Sequence, residues 1–124
     1  LAGFMTIIPE DFLTLWHHKV INIHPSLLPA FKGLNAQGKA LSAGVKIAGC
    51  TVHYVYPEVD SGPIIMQAAV PVLSDDNIES LSDRILQMEH KIYPESVKII
   101  VSNNFKFCNN VFVSHTNLQI FYEG

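Results

Sequence analysis

An apolar stripe in the second half of the chain limits the possible folds more than any other pattern. Apolar residues recur at spacings of three and four, at Ile78, Leu81, Ile85, Met88 and Ile92. Because an α-helix turns once every 3.6 residues, this spacing places all of them on one helical face. Such a face must be covered by another layer of structure. The sequence therefore predicts a long helix packed against a sheet.

Both ends of this helix carry local signals. Asp76 followed by Glu79 resembles a capping box, in which two side chains three residues apart bond each other's backbone N–H. Pro94 lies inside the apolar pattern and lacks the N–H that a helix interior needs. We therefore expect the first turn just after Asp76, and a kink or division at Pro94 in a helix that could otherwise reach about Val101.

The candidate strands are short apolar segments bounded by Pro and Gly. Residues 1–8 resemble the end of a buried strand, and 9–19 a short amphipathic helix. Residues 20–23 form a β-branched run that Pro25 ends, which leaves His24 where a strand opens into a loop. Ligands of open α/β sheets bind at such strand ends.

The remaining elements are shorter. Residues 39–43 predict a brief helix closed by Gly44. Residues 50–56 alternate, with Cys50, Val52 and Tyr54 on one side, and they predict a hairpin with 64–72. The tail over 105–122 predicts β structure around Asn-Asn and His-Thr-Asn turns.

Composition excludes several classes of protein. The 124 residues are 48% hydrophobic and 15% charged, which suits one packed domain. A net charge of −3 with eight Lys and Arg supplies no basic stripe for nucleic acid. No apolar stretch approaches the roughly 18 residues of a membrane span. Cys50 and Cys108 fit neither a disulfide framework nor a zinc site, and the six histidines lack metal-ligand spacing, so a reducing, cytoplasmic setting is expected.

The candidate catalytic residues are Asn22, His24 and Asp60, with His53 behind them. Asn22 and His24 alternate along one strand, so their side chains point to the same side. A carboxamide and an imidazole can donate to an oxyanion, and a carboxylate can orient the imidazole. Spacing alone leaves simpler interpretations open: a turn-capping Asn, a surface His, an Asx turn at Asp60 and a hydrogen-bonded core His53.

Four motifs resemble those of the folate-dependent phosphoribosylglycinamide formyltransferase family. The motifs are INIHPSLLPAFKG (21–33), GCTVHYV (49–55), VDSGPII (59–65) and EHKIYP (89–94). The resemblance runs without a gap from residue 1 to about residue 102. It implies an α/β formyltransferase fold, which is Rossmann-like with a mostly parallel twisted sheet flanked by helices.

The resemblance also implies a reaction and its catalytic groups. A formyl group passes from 10-formyltetrahydrofolate to the amine of glycinamide ribonucleotide. The family's catalytic residues correspond to Asn22, His24 and Asp60. The Asn22 amide and protonated His24 stabilise the oxyanion, while Asp60 supports His24 and an ordered water that relays the proton. His53 stands behind them, and no metal is required.

The binding residues implied by the resemblance fall into two groups. The folate contacts are Met5, Thr6, Ile7, Ile8, Leu13, Val20, Pro57, Glu58, Val59 and Asp60. The ribonucleotide contacts are Ile23, Pro25 and Glu89, the last of which binds the ribose hydroxyls. Thr6 stands where many relatives carry arginine. Without the resemblance, Glu89 reads as an ordinary exposed helix glutamate.

The family's nucleotide half, with a glycine-rich phosphate loop, precedes the matched motifs and is absent from this sequence. We therefore expect residues 1–124 to be the catalytic and folate-binding half of one larger domain, with 103–124 as a peripheral β tail. Such a half is expected to self-associate or to pair with the missing N-terminal half, because unpaired strand edges attract other strands.

Two alternatives stay open at this point. Formyltetrahydrofolate hydrolase shares the Asn, His and Asp and sends the formyl group to water, and only the preceding half distinguishes it. The chain could also be an inactive folate-binding or assembly fragment. Methionyl-tRNA formyltransferase is disfavoured, because it needs a basic RNA-binding appendage and this chain is mildly acidic.

Overall fold

A computed structural model describes residues 20–58, 60–115 and 120–122. The expected strand over 1–8 and the expected helix over 9–19 lie outside these residues. The elements are β1 (Ile21–His24), α1 (Ala36–Ala43), β2 (Ile47–Tyr54), β3 (Ile64–Pro71), α2 (Ile78–Val101), β4 (Phe105–Cys108), β5 (Val111–Ser114) and β6 (Ile120–Tyr122).

The main sheet has the strand order β1-β2-β3-β6, and β4 and β5 form a separate hairpin. β1 pairs with β2 and β2 with β3 in antiparallel fashion, whereas β3 pairs with β6 in parallel. The expectation of a mostly parallel sheet is therefore wrong for the described strands. The connection between β2 and β3 is short, and it closes a hairpin, whereas parallel neighbours need a crossover of a dozen or more residues.

The apolar stripe of α2 forms one half of the core. Leu81, Ile85, Met88 and Ile92 are buried, and the helix packs against β2 and β3. Ile78, which the sequence placed on the same face, is 53% exposed and lies outside the core. The predicted packing of a long helix on a sheet is confirmed, except for its first residue.

The N-terminus of α2 differs from the predicted one by a single position. The N-cap is Asn77, whose side chain accepts from the Ser80 N–H at 2.8 Å, while the Ser80 hydroxyl accepts from the Asn77 N–H at 3.0 Å. Asp76 instead binds the Arg84 guanidinium through two contacts of 2.7 and 3.0 Å. The expected Asp76 and Glu79 box is therefore wrong, because Arg84 holds the Asp76 carboxylate.

Pro94 does not divide α2, which is a single helix from Ile78 to Val101. Pro94 and His90, the residue four positions earlier, are both exposed. Water can therefore reach the His90 carbonyl that receives no helical N–H.

Among the described residues, no helix has the length and hydropathy needed to cross a membrane.

β2 has two different faces, as its alternation predicted. Cys50, Val52 and Tyr54 belong to the apolar core. Thr51 and His53 project from the other side and are also buried. The strand begins at residue 47 rather than 50, and a β-bulge lies opposite β3 between Val52 and His53. The extra residue of this bulge is Ile65 on β3, because Val52 pairs with Met66 and His53 with Ile64.

The predicted short helix and the Asn-Asn turn hold in outline, whereas the predicted His-Thr-Asn turn lies largely outside the described residues. α1 begins at Ala36, three residues earlier than expected, and ends at Gly44, whose φ of 72° is left-handed. The β4–β5 hairpin turns at Asn109 and Asn110, as the Asn-Asn pair predicted. Its aromatic rings pack on the sheet, with the Phe112 ring centroid 6.0 Å from that of Tyr54.

Candidate active site

Two of the predicted residues, His24 and Asp60, form a buried pair. β1 ends at His24 because Pro25 cannot continue a ladder. Asp60 lies in the connection between β2 and β3. His24 Nδ1 is 3.3 Å from Asp60 Oδ1, and the two side chains are 5% and 12% exposed. The carboxylate is therefore placed to orient the ring and to pair with it when it is protonated.

The other ring nitrogen of His24 also meets an acceptor. Its Nε2 lies 2.9 Å from the carbonyl oxygen of Phe31. Both ring nitrogens thus face oxygen acceptors, which only a doubly protonated imidazole can satisfy together. Asp60 Oδ2 in turn accepts a hydrogen bond from the backbone N–H of Gly33. Residues 25–33, which we call the 25–33 loop, therefore contact both His24 and Asp60.

The 25–33 loop is fixed to the sheet by polar side chains of β2 and β3. The Thr51 hydroxyl accepts from the Leu28 N–H at 3.1 Å and donates to the Ser26 carbonyl at 2.7 Å. Gln67 Nε2 donates to Thr51 Oγ1 and to the Leu28 carbonyl, both at 3.0 Å. Sequence reasoning missed the roles of Thr51 and Gln67. The available signal was a polar residue inside each predicted strand.

The Asp60 backbone is held in a sharply turned conformation. Asp60 has a φ of 51° and Gly62 a φ of 116°. A Cβ at Gly62 would overlap the Tyr54 carbonyl oxygen, so only glycine fits there. The Asp60 carboxylate binds Gly33, 27 residues away, rather than its own turn. The simpler interpretation of Asp60 as an Asx-turn residue therefore does not describe its side chain.

Asn22 and His53 occupy directly opposed positions on β1 and β2. Opposed residues of an antiparallel pair project to the same face, so both flank His24. His53 Nδ1 lies 2.8 Å from the Tyr54 carbonyl, which it meets as a donor. Burial lowers the pKa of His53, although the Tyr54 carbonyl opposes this effect. Within the described ranges, Asn22 Oδ1 and His53 Nε2 are buried without a hydrogen-bond partner.

The burial of these groups decides between the interpretations that spacing left open. His24 is 4% exposed and is not a surface histidine. His53 is a buried, hydrogen-bonded residue, as the simpler reading proposed, and it also borders the candidate site. The structure thus brings together Asn22, His24, His53 and Asp60.

Glu89 lies elsewhere, on α2. It is half-buried rather than exposed, and burial raises its pKa to about 7. The thiol of Cys50, on the apolar face of β2, has its pKa raised to about 12. Burial is the larger cause, and the negative charge of Glu89 is the second. Glu89 therefore packs on the side of the sheet opposite Thr51 and His53.

The other predicted binding residues are described in part. Ile23 is buried in the core, and Pro25 is half-buried. The Val20 carbonyl accepts from the Val55 N–H at 2.9 Å. The residues outside the described ranges are Met5, Thr6, Ile7, Ile8, Leu13 and Val59.

An open cleft of about 690 Å³ borders the connection that carries Asp60. Pro57 and Glu58, two of the predicted folate contacts, are exposed in its wall. The other lining residues are Tyr56, Ser61, Gly62, Pro63 and Asn110. In the part of the chain that the structure describes, no three His, Cys, Asp or Glu side chains are grouped as metal ligands.

Comparison with known proteins decides the family. A family model described as formyl transferase matches residues 1–97. The chain belongs to this formyl transferase family. The paired His24 and Asp60 lie inside the matched segment, as do Asn22 and Glu89.

Solved structures of other formyl transferases share the fold. Phosphoribosylglycinamide formyltransferase from Anaplasma phagocytophilum matches with a TM-score of 0.95 and 58% identity, over 98% of this chain and 61% of that chain. A formyltetrahydrofolate deformylase from Pseudomonas syringae pv. tomato matches with a TM-score of 0.84 and 34% identity, over 90% and 37%. The expected α/β formyltransferase fold is confirmed.

Curated relatives include much longer proteins. The trifunctional purine biosynthetic protein adenosine-3 of Bos taurus is 49% identical over 110 residues, which are 89% of this chain and 11% of that protein. The chain thus spans less than two thirds of each protein with which it is compared.

Proposed function

We propose that this chain carries the catalytic groups of a phosphoribosylglycinamide formyltransferase. The reaction transfers a formyl group from 10-formyltetrahydrofolate to the amine of glycinamide ribonucleotide in purine biosynthesis, in the cytoplasm. The observation that supports it most directly is the buried pair of His24 and Asp60 beside Asn22. The 58% identity to an enzyme of that name adds to this support.

The proposed chemistry is direct transfer without a covalent enzyme intermediate. The amine nitrogen forms a bond to the formyl carbon, whose oxygen becomes an oxyanion. The bond between that carbon and N10 of the folate then breaks. The proton lost by the amine is relayed to N10, so the products are the formylated ribonucleotide and tetrahydrofolate.

The side chains supply the hydrogen-bond donors and the carboxylate that these bond changes require. The Asn22 amide and protonated His24 donate to the oxyanion, and Asp60 orients the imidazole and pairs with its charged form. Asp60 also supports the water that relays the proton. Removing one oxyanion donor typically costs about 10²–10³ in turnover, and a positioned acid or base contributes about 10²–10⁴.

The hydrogen bond between His24 and Phe31 fits this role. His24 Nδ1 faces Asp60, so Nε2 is the nitrogen that remains for the oxyanion. Nε2 lies 2.9 Å from the Phe31 carbonyl. This carbonyl keeps the ring oriented before the reaction, and the developing oxyanion then shares or replaces it as the acceptor.

The binding roles follow from the same resemblance. We assign folate binding to residues 5–8, Leu13, Val20 and 57–60. We assign ribonucleotide binding to Ile23, Pro25 and Glu89. The half-buried position of Glu89 supports a role beyond solubility. No step of this chemistry uses a metal.

The second candidate is formyltetrahydrofolate hydrolysis, because a deformylase shares the fold at 34% identity. Both reactions would use Asn22, His24 and Asp60, and they differ in whether an amine or water receives the formyl group. Assays of formate release and of formylated ribonucleotide on the same sample distinguish them. Formate as the sole product would refute the transferase and support the hydrolase.

The catalytic assignment is tested in the full-length gene product that contains these residues. His24→Ala and Asp60→Asn are each expected to lower kcat by about 10²–10⁴. Matched controls are His90→Ala and Asp83→Asn, which alter exposed residues of α2. Wild-type turnover in both site variants would refute the assignment.

We also propose that the edge of β1 pairs with further structure, either the family's nucleotide half or a second copy of the chain. Among the described strands, β1 lies at one end of the sheet, with β2 as its neighbour. Isolated residues 1–124 are then expected to self-associate and to be inactive. A species that is monomeric in a sedimentation experiment and that also unfolds cooperatively would contradict this proposal.

A further inference from the structure

We propose that Gln67 is a positioning residue for the His24 and Asp60 pair, acting through the 25–33 loop. The inference rests on the proposed function, because it concerns the same two residues. Gln67 lies on β3, two strands away from His24 in the sheet. Its side chain therefore acts at a distance, through the contacts that follow.

The first step is the contact between Gln67 and the loop. Gln67 Nε2 lies 3.0 Å from both the Leu28 carbonyl and Thr51 Oγ1. A primary amide nitrogen carries two hydrogens, and each has one acceptor here. Both donors of one side chain are thus used to join β3 to the loop and to β2.

The second step is the role of Thr51. Its hydroxyl is completely buried and makes three hydrogen bonds, to Gln67, the Leu28 N–H and the Ser26 carbonyl. A hydroxyl has one donor and two acceptor positions, so all of them are occupied. Such fully satisfied buried networks hold one geometry, because any displacement leaves a buried polar group unpaired.

The third step leads from the loop to the catalytic pair. Three residues after Leu28, the Phe31 carbonyl lies at 2.9 Å from His24 Nε2. Five residues after Leu28, the Gly33 N–H donates to Asp60 Oδ2. The loop therefore fixes one side of His24 and one side of Asp60 at once. A displacement of about 1 Å in such groups can cost on the order of 10²-fold in rate.

The test compares Gln67→Leu with the control Gln87→Leu in the full-length enzyme. Gln87 is an exposed residue of α2 that takes no part in the proposed site. Gln67→Leu removes both donors while keeping a side chain of similar bulk. We expect kcat to fall by about 10–100-fold, with smaller changes in KM for both substrates. The control should keep wild-type values.

A second readout is independent of activity. The His24 Nε2–H that faces Phe31 should give a downfield, slowly exchanging proton signal in NMR spectra, identified by its loss in His24→Ala. We expect Gln67→Leu to lose or broaden this signal at temperatures well below its Tm, and Gln87→Leu to retain it. A general loss of stability would lower Tm without removing the signal from the folded protein.

Two further comparisons separate positioning from stability. Thr51→Ser keeps the central hydroxyl and should retain most of kcat, whereas Thr51→Val should behave like Gln67→Leu. In the double variant His24→Ala with Gln67→Leu, kcat should fall by clearly less than the product of the two single-variant falls, because Gln67 acts in part through His24. If Gln67→Leu does not fold, Gln67→Met removes the same donors with a more flexible side chain.

The outcomes distinguish this inference from the proposed function. If His24→Ala lowers kcat but the Gln67 variant keeps both kcat and the NMR signal, the positioning role is refuted alone. If His24→Ala keeps kcat, the proposed function is refuted, and the NMR signal still decides whether Gln67 orients the ring. Full additivity in the double variant would also refute the positioning role.

Discussion

The half-buried carboxyl of Glu89 makes a quantitative prediction about stability. Burial raises its pKa from 4.5 to about 7. One pKa unit corresponds to about 1.4 kcal/mol, so this difference corresponds to at most about 3.4 kcal/mol. Because the group is partly exposed, solvent screening reduces the figure to about 1–2 kcal/mol.

The direction follows from proton binding. Folded Glu89 holds its proton more tightly than the unfolded chain does. The contribution of this group to stability is therefore fully present below pH 4.5 and is lost as the pH rises through about 7. Glu89→Gln cannot ionise, so its free energy of unfolding should gain about 1–2 kcal/mol relative to wild type between pH 5 and pH 8.

Urea unfolding followed by far-UV circular dichroism at pH 5 and pH 8 measures this gain. Glu79→Gln is the matched control, because it removes one exposed carboxylate from the same helix. Subtracting the change in unfolding free energy of Glu79→Gln from that of Glu89→Gln removes the effect of losing one negative charge. If the free-energy difference between Glu89→Gln and wild type were equal at the two pH values, burial of the carboxyl would not govern its ionisation, and the reasoning would be wrong.

Three other substitutions probe the scaffold. Gly62→Ala should lower kcat at least 10-fold in the formyl-transfer assay, because its Cβ overlaps the Tyr54 carbonyl, and unchanged kcat would contradict this. Arg84 lowers the pKa of the Asp76 carboxyl, so Asp76→Asn should lower Tm above about pH 4, and the difference should shrink as the pH falls below 4. Ile85→Ala should cost about 2–5 kcal/mol in urea unfolding, and a loss below about 1 kcal/mol would argue against tight packing.

Much of the fold was predictable because it depends on local patterns. The stripe from Leu81 to Ile92 and the alternation of Cys50, Val52 and Tyr54 each record one buried face. Likewise, Pro25 marks the end of β1, and the short connection around Asp60 requires a hairpin. These signals involve neighbours within a few residues, where helix and strand geometry decide which side chains share a face.

The errors arose where distant residues override a local signal. Asp76 looks like an N-cap, but Arg84, eight residues later, takes its carboxylate, so Asn77 caps the helix. Pro94 looks like a break, but its side of α2 faces solvent. The predominantly antiparallel pairing of the described strands depends on which strands the connecting segments bring side by side and in which direction they run.

The candidate site shows the same division. Asn22, His24 and Asp60 could be selected from residue type and position. The groups that hold them could not, because Gly33 meets Asp60 across 27 residues and Gln67 meets Leu28 across 39. Hydrogen bonds of this range depend on the fold as a whole, and no periodicity in the sequence records them.

His24 and His53 illustrate how the environment assigns different roles to identical side chains. Each ring nitrogen of His24 faces an oxygen acceptor, so its doubly protonated form is fully hydrogen-bonded. His53 donates through Nδ1 to the Tyr54 carbonyl, and burial lowers its pKa, so it is neutral near pH 7 and its Nε2 has a lone pair but no proton. An oxyanion needs donors, and His53 has none left to offer. In the proposed reaction, His24 is therefore the one of these two histidines that can donate to the developing charge, whereas His53 can only accept a hydrogen bond beside Asn22.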